Sequence, residues 1–440
     1  MHETANVPSK TFVGNYSEIR PTRVVHRWLH IEFWLPIIVI FGFCMVVSAD
    51  RGYAASGGEE VYNPQVTSDS FRQLVFLGLG STGFYLLTLA KPSAKSRIAW
   101  TILIPTICIT TYIFASIAWS DDSLMTFKRA LTASLVIVAG LGIGRVWSMQ
   151  DYAWGITIIS ALFLTVGILV ELHYRSFLTS GEYRFSGVFH PAKQAFNCGF
   201  LLLASLAIYF NQGRRWILII ATIALALLIL TKARTGTAAA LVACAWLCWH
   251  YTSVKGWLIV GVAGAGLAVA CVLFYQGATG RELDTTTVTT MGRNEDGADP
   301  TKLTGRLPIW SHAFDQFTEQ PVLGYGYGAF WTLGRLAEFE RLNGWALYHS
   351  HSTYIESLLN LGIVGFALGL FTLATVFHRS ISLQRQGDNF AILVSSLLLF
   401  AFVGGFSEIA FIGLEYESLV IMTGIGVMTF ATPPERRGVR

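Results

Sequence analysis

The sequence has few charged residues: Asp, Glu, Lys and Arg make up 13% of its 440 residues. Soluble globular proteins carry about 25% of such residues. Hydrophobic residues account for 53% of the chain, and the mean hydropathy is +0.52. This composition argues against an ordinary soluble domain and predicts a protein embedded in a bilayer, with membrane lipid as its surroundings and no nucleic-acid partner.

Cysteine is also scarce, and its placement predicts neither a disulfide nor a metal site. All six cysteines lie in apolar stretches, where they are typical small packing residues: Cys44, Cys108, Cys198, Cys244, Cys248 and Cys271. Cys244 and Cys248 share a helix face but lack the nearby histidines or carboxylates of a zinc site. The acidic pair Asp121 and Asp122 is better explained as a loop or a helix cap. We therefore expect no metal and no cofactor.

Long apolar stretches are the dominant pattern in the chain. Twelve of them have the length, near 20 residues, that crosses a bilayer core: 31–49, 72–90, 98–119, 130–146, 152–172, 194–210, 216–231, 237–251, 256–275, 352–377, 390–406 and 412–432. Backbone groups in lipid must form hydrogen bonds within their own segment. The sequence therefore predicts an all-α polytopic membrane protein with about 12 transmembrane helices. The first 30 residues are polar and basic and predict no cleavable signal peptide.

Basic residues in short loops predict the orientation of the chain. Both termini are basic, and an even number of spans places them on one side, which we take as cytoplasmic. The chain then divides into residues 1–275, with transmembrane helices 1–9 and short loops; residues 276–351, one large periplasmic loop; and residues 352–440, with transmembrane helices 10–12 and a cytoplasmic tail.

The large loop has two parts of different character. Residues 283–304 are rich in Thr, Gly and Asp, which is typical of a segment without a packed core. Thr304 can then cap a helix that ends before Pro321. Four large side chains form one apolar stripe along this helix: Leu307, Trp310, Phe314 and Phe317. The stripe predicts an interfacial helix that lies along the membrane surface.

Six basic residues lie near span ends on the outer side, although basic residues of short loops usually lie on the cytoplasmic side: Arg175, Arg184, Lys193, Lys232, Arg234 and Arg306. Each could extend to the lipid headgroups or pair across helices. Together they predict a pocket for an anion, and guanidinium groups fit a phosphate or pyrophosphate ester best. Arg234 begins a span, whose N-terminus favours anions. Lys193 opposes its helix dipole and needs an anionic partner, either a lipid headgroup or a substrate phosphate.

Two histidines precede the span 352–377 on the same side as these cations. Histidine is the side chain best able to accept a proton at neutral pH. A single interfacial histidine is usually structural, but His349 and His351 lie beside the predicted anion pocket. His351 is the better general base, and His349 could position or replace it. Glu356 could orient an imidazole or only pack between helices.

Several short motifs around these residues resemble those of the O-antigen ligase family. His351-Ser352, nine residues and then Gly362-Ile363-Val364-Gly365 resembles the family's histidine signature. The stretch from Thr304 to Gly326 resembles the segment that precedes this histidine. The stretch 184–191 and Arg234-Thr235-Gly236 resemble the upstream motifs. The resemblance covers about residues 184–365.

The resemblance implies a glycosyltransferase of the GT-C type in the bacterial inner membrane, with its active site on the periplasmic face. Such an enzyme transfers O-antigen glycan from undecaprenyl pyrophosphate to lipid A–core in lipopolysaccharide biosynthesis, with inversion and without a metal. The matched positions are Arg234 and Arg306, which would bind the pyrophosphate, and His351, which would act on the acceptor hydroxyl. Arg184 and Lys193 are added as pyrophosphate ligands on charge and position.

Other functions use similar residues. O-antigen polymerases and protein O-oligosaccharyltransferases share the superfamily and would use the same pocket and base. A transporter of lipid-linked glycans belongs to a different class, but the sequence shows no internal repeat of the kind that transporters carry. The sequence leaves open the glycan, the acceptor sugar and its hydroxyl, the oligomeric state and the choice between His349 and His351 as base.

Overall fold

The computed structural model describes residues 30–47, 70–92, 97–178, 183–252, 306–343, 349–411 and 414–432. Over these ranges the chain contains helices, turns and loops but no strand. The helices are α1 Ile31–Val47, α2 Ser70–Thr88, α3 Trp100–Ala115, α4 Ser123–Val146, α5 Met149–Tyr174, α6 Pro191–Gln212, α7 Ile217–Leu230, α8 Arg234–Tyr251, α9 Arg306–Glu319, α10 Leu333–Asn343, α11 Thr353–Arg385, α12 Ile392–Gly404 and α13 Tyr416–Phe430.

Five helical segments are long and apolar enough to cross a membrane: Trp100–Ala118, α4, α5, α6 and α11. Four shorter segments are also apolar: α1, α7, Asn389–Gly404 and α13. The predicted all-α membrane protein is therefore confirmed, whereas the number of about 12 spans, the GT-C type and the periplasmic loop stay predictions. Eleven of the twelve predicted stretches contain a described helix. The stretch 256–275 and the loop residues 276–305 lie outside the described residues.

Small residues let the central helices approach closely. A methyl group on Gly144 of α4 would overlap the backbone at Gly426 of α13, and one on Gly83 of α2 would overlap the backbone at Ala139 of α4. Close backbone contact of this kind replaces the hydrophobic effect as the source of helix association in lipid. The helices α2, α4 and α13 therefore form one tightly packed layer.

Helix α11 is broken at Gly362, which has φ of 62° and ψ of −169°. The segment 321–325 fills the break: the amide of Ile363 donates to the carbonyl of Pro321 at 2.9 Å, and the amide of Tyr325 donates to the carbonyl of Leu359 at 2.9 Å. Non-helical backbone at membrane depth is tolerated where other protein groups satisfy it. The inserted segment therefore keeps the first part of α11 in place.

The predicted helix before Pro321 is confirmed as α9, and its placement along the membrane surface stays a prediction. Ile309 and Ala313 are fully buried, whereas Leu307 and Phe314 are exposed by 49% and 63%. The two exposed side chains point away from the rest of the described protein. The cap prediction for the acidic pair is confirmed for Asp122, whose side chain accepts from the amide of Met125 at 2.9 Å and begins α4.

Candidate active site

The turn 349–351 lies directly before α11 and has an unusual backbone. His351 has φ of 51°, in the left-handed region that non-glycine residues rarely adopt. Its amide donates to Nδ1 of His349 at 3.1 Å, and the two ring centroids are 4.0 Å apart. Trp310 of α9 donates to the carbonyl of Ser350 at 3.0 Å. Backbone strain of this kind is often found at functional sites.

The buried carboxylate of Glu356 holds this turn from inside the protein. It accepts from the amide and hydroxyl of Ser350, at 3.2 and 2.9 Å, and from the indole of Trp331 at 3.0 Å. The side-chain amide of Asn360 donates to it at 3.1 Å. These bonds show that Glu356 fixes the backbone of the turn. Among the described residues, the carboxylate forms hydrogen bonds with Ser350, Trp331 and Asn360 and with no imidazole.

A second carboxylate, Glu171 at the end of α5, shapes the loop that carries the upstream motif. It accepts from the amides of Ser186 and Gly187, each at 2.9 Å. Gly187 has φ of 62°, and a methyl group there would overlap the backbone of Gly167. Only glycine fits so close a contact in this conformation. The loop is thereby pressed against α5 just before α6 begins.

The arginines Arg184 and Arg234 lie at one corner, where α7 ends and α8 begins. The Nε of Arg184 donates to the carbonyl of Thr231 at 3.2 Å, three residues before Arg234. Gly236 packs against Ala195 in the first turns of α6. Arg234 itself is the first residue of α8 and is partly buried. The corner therefore joins the start of α8 to the start of α6.

Two of the predicted cations form ion pairs with acidic residues far away in the chain. Nζ of Lys193 lies 2.5 Å from Glu415, and Arg306 lies 3.2 Å from Glu408. Both pairs are partly buried. The main-chain carbonyl of Glu408 also accepts from the hydroxyl of Thr353 at 2.8 Å, two residues after His351. The anionic partner of Lys193 in this structure is the carboxylate of Glu415, and its role as a pyrophosphate ligand stays a prediction.

The electrostatics of three imidazoles show which charges converge. Burial lowers the pKa of His351 to about 4, with Arg306 and Lys193 adding to the effect. Burial likewise lowers the pKa of His190 to about 3, assisted by Arg184, Lys193, His351 and Arg306. The pKa of His349 is lowered well below its usual value by burial and then by His351, Lys193, His190 and Arg306.

The structure thus brings five of the six predicted site residues into one electrostatic neighbourhood: Arg184, Lys193, Arg306, His349 and His351. Arg234 adjoins this neighbourhood through Thr231 and Gly236. The neighbourhood can hold an anion, and its imidazoles are neutral at pH 7. A neutral imidazole can accept a proton or donate a hydrogen bond.

Sequence reasoning missed His190 as a member of this site. Its Nδ1 accepts from the amide of Ala192 at 3.3 Å, so that it caps α6. The usual cap residues are Ser, Thr, Asp and Asn, and a histidine in this role gives no strong signal. Pro191 in the first helical position, with Lys193 in the first turn, was the pattern that could have marked the cap.

An apolar cavity of about 130 Å³ lies beside the first turns of α11. Its walls come from α3, α4, α11 and α13, and its lining includes Thr353, Tyr354 and Ser357 at the start of α11. Most of the remaining lining is aliphatic or aromatic. Such a cavity suits a hydrocarbon chain better than a sugar.

Comparison with known proteins gives two matches. A family model described as O-antigen ligase matches residues 218–370, which include Arg234, Arg306 and both histidines of the turn. The exopolysaccharide production protein ExoQ of Rhizobium meliloti (strain 1021) is 33% identical over 123 residues, which are 26% of this chain and 27% of ExoQ. The matched region thus spans about a quarter of that relative. The chain therefore contains an O-antigen ligase family domain over residues 218–370.

Proposed function

We propose that this protein transfers a glycan from undecaprenyl pyrophosphate to a hydroxyl group of lipid A–core, on the periplasmic face of the bacterial inner membrane. The observation that supports it best is the convergence of Arg184, Lys193 and Arg306 on the imidazoles of the site. The helices α6, α9 and α11 also begin there. Their positive dipole ends add to the attraction for a pyrophosphate.

In the proposed reaction His351 removes the proton from the acceptor hydroxyl. The acceptor oxygen forms a bond to C1 of the donor sugar, while the bond from C1 to the phosphate oxygen breaks. The pyrophosphate leaves with that electron pair, and Arg184, Lys193, Arg234 and Arg306 stabilise its growing charge. A single displacement inverts the configuration at C1. The proton ends on Nε2 or Nδ1 of His351.

The cavity beside the site supports a lipid-linked donor. A segment of the polyprenyl chain would lie along its apolar lining, and the pyrophosphate would lie on the side of Thr353, two residues from His351. The same arrangement would suit either a ligase or a polymerase, because both use a lipid-linked donor. In this proposal both termini of the chain lie in the cytoplasm.

A polymerase is the second candidate because ExoQ, the 33% identical relative, is named for exopolysaccharide production. In that case the acceptor is another lipid-linked glycan. The donor pocket and the base keep the same roles. Only the acceptor side of the site differs between the two candidates, and a protein acceptor would differ there too.

Reconstituted protein tests the proposal directly. We expect His351→Ala and Arg234→Ala each to lower transfer by at least about 100-fold, since each removes a group that acts in the transition state. Transfer is measured from undecaprenyl-pyrophosphate-linked glycan to lipid A–core, to a second lipid-linked glycan and to a pilin-like peptide. EDTA is added in a parallel series, and we expect transfer to persist.

Two variants serve as matched controls. His378→Ala changes a histidine at the opposite end of α11, and Arg215→Ala changes an exposed arginine at the end of α6 remote from the site. Both should transfer like the wild type. Absence of transfer to every acceptor, with movement of the lipid-linked glycan across vesicles instead, would identify a transporter and refute the proposal.

A further inference from the structure

Two of the three imidazoles at the site are held in one tautomer by the backbone. Nδ1 of His190 accepts from the amide of Ala192 at 3.3 Å, and Nδ1 of His349 accepts from the amide of His351 at 3.1 Å. A backbone amide can only donate, so Nδ1 must be unprotonated in both rings. The proton of each neutral imidazole therefore sits on Nε2.

His351 differs from the other two histidines. Within the described part of the chain, its hydrogen bond to His349 involves the backbone amide and not the ring. Among the described residues no hydrogen bond to the ring fixes its tautomer, so either ring nitrogen can be the one that accepts a proton. The three histidines therefore have different chemical capacities although their environments are alike.

We propose that His190 and His349 bind the pyrophosphate of the lipid-linked donor as neutral hydrogen-bond donors through Nε2, and that His351 alone acts as the base. This inference rests on the proposed function and adds His190 to the site. It also resolves the choice between His349 and His351 that the sequence left open.

Charge explains why neutral donors are useful at this place. Arg184, Lys193 and Arg306 each disfavour protonation of the imidazole of His190. They do so although Lys193 and Arg306 are paired with carboxylates. A protonated imidazole there would be repelled by them, whereas a neutral N–H group adds a hydrogen bond without that repulsion. Hydrogen bonds to a charged acceptor are also the stronger kind. They strengthen as the pyrophosphate gains charge on leaving.

The same imidazoles also have a structural role, and the test must separate the two. Asn in place of His keeps an acceptor, Oδ1, near the position of Nδ1, and Asn is among the best helix caps. His190→Asn and His349→Asn therefore keep the backbone bonds but lose the Nε2 donor. His190→Gln and His349→Gln place a side-chain N–H near the position of Nε2. The two series form matched pairs at each site.

The measurement is binding of undecaprenyl pyrophosphate, without glycan, to purified full-length protein. We expect each Asn variant to bind it about 10-fold or more weakly, and each Gln variant to bind within about 3-fold of the wild type. Thermal unfolding of each Asn variant should match the wild type within about 3 °C. The pH dependence of transfer should be unchanged in all four variants, since none alters the base.

The outcomes separate the inference from the proposed function. Wild-type binding by the Asn variants would show that the imidazoles act only as backbone acceptors. Equal loss in the Asn and Gln variants would show that a side-chain N–H near the position of Nε2 does not support binding. Either result would overturn the inference. A shifted pH profile in the His349 variants would do the same, because it would make His349 part of the base. A wild-type protein that neither binds undecaprenyl pyrophosphate nor transfers glycan would instead refute the proposed function.

Discussion

At the scale of single residues, two cations of the site already have carboxylate counter-ions. Lys193 is paired with Glu415 and Arg306 with Glu408, across 222 and 102 positions of the chain. The sequence predicts the cations because they violate a charge rule that can be read locally. It could not predict their partners, because the pairing exists only after α6, α9 and the last two helices have packed together.

The lowered pKa of His351 leads to a prediction about pH. The base must be neutral to accept a proton, and a pKa of about 4 keeps it neutral at any higher pH. The free-enzyme profile of kcat/KM should therefore fall only on acidification towards pH 4, well below the usual histidine value of about 6.5. The charged groups that act on this ring are Arg306 and Lys193, which themselves pair with Glu408 and Glu415.

A variant provides the control for this pH profile. Arg306→Gln removes the strongest positive influence on His351, so the pKa should rise and the acid limb should move to higher pH. The maximal kcat/KM will also fall, but the pH at which kcat/KM decreases does not depend on that maximal value. An acid limb at pH 6.5 in the wild type would contradict the assignment of His351 in this environment.

At the scale of elements, the break in α11 gives the histidine signature a physical meaning. The sequence predicted one uninterrupted span over 352–377, because a single glycine in an apolar stretch is common in membrane helices. The break depends on the segment 321–325, whose backbone replaces the lost helical bonds. No local pattern around Gly362 contains that information. The nine-residue spacing thus connects the strained turn at His351 to the point where its helix is clamped.

Substitution of Gly362 tests this clamp. We expect Gly362→Ala to lower the unfolding temperature by several degrees and to reduce transfer, because its methyl group would overlap the carbonyl of Val322 and because its φ is 62°. Gly369→Ala on the same helix is the matched control, since no heavy atom lies within 4 Å of a methyl group there. The measurements are thermal unfolding in detergent and the transfer assay. Equal behaviour of the two variants would mean that the break is not a constraint.

At the scale of the whole molecule, hydropathy predicted the helices well because each apolar stretch in lipid must satisfy its backbone hydrogen bonds within itself. It could not predict which stretches cross the membrane fully, and only five of the described segments are long and apolar enough by themselves. The orientation is likewise a matter of loop charges and stays a prediction. Two of these long helices, α6 and α11, have the site at their N-terminal ends and basic residues at or just beyond their C-terminal ends.

Cysteine labelling measures that orientation. In a variant without the six native cysteines, Arg341→Cys of α10 should react with an impermeant maleimide added from the periplasmic side, and Gln386→Cys should not. Both positions are exposed, and Trp331 ties the segment before α10 to the turn at Ser350 through Glu356. After disruption of the inner membrane, both should react. The reverse pattern would place the site in the cytoplasm and exclude lipid A–core as acceptor.

The left-handed backbone conformation of His351 lowers the stability of the folded protein, whereas the proposed reaction requires an imidazole at this position. Asn and Gly occupy such a conformation at lower cost than His, so a replacement that removes the base also relaxes the chain. Selection for thermal stability alone would therefore favour Asn or Gly at position 351 and so an inactive protein. Glu356 and Trp310 form hydrogen bonds with Ser350. These bonds keep the strained turn 349–351 in the conformation that the proposed reaction needs.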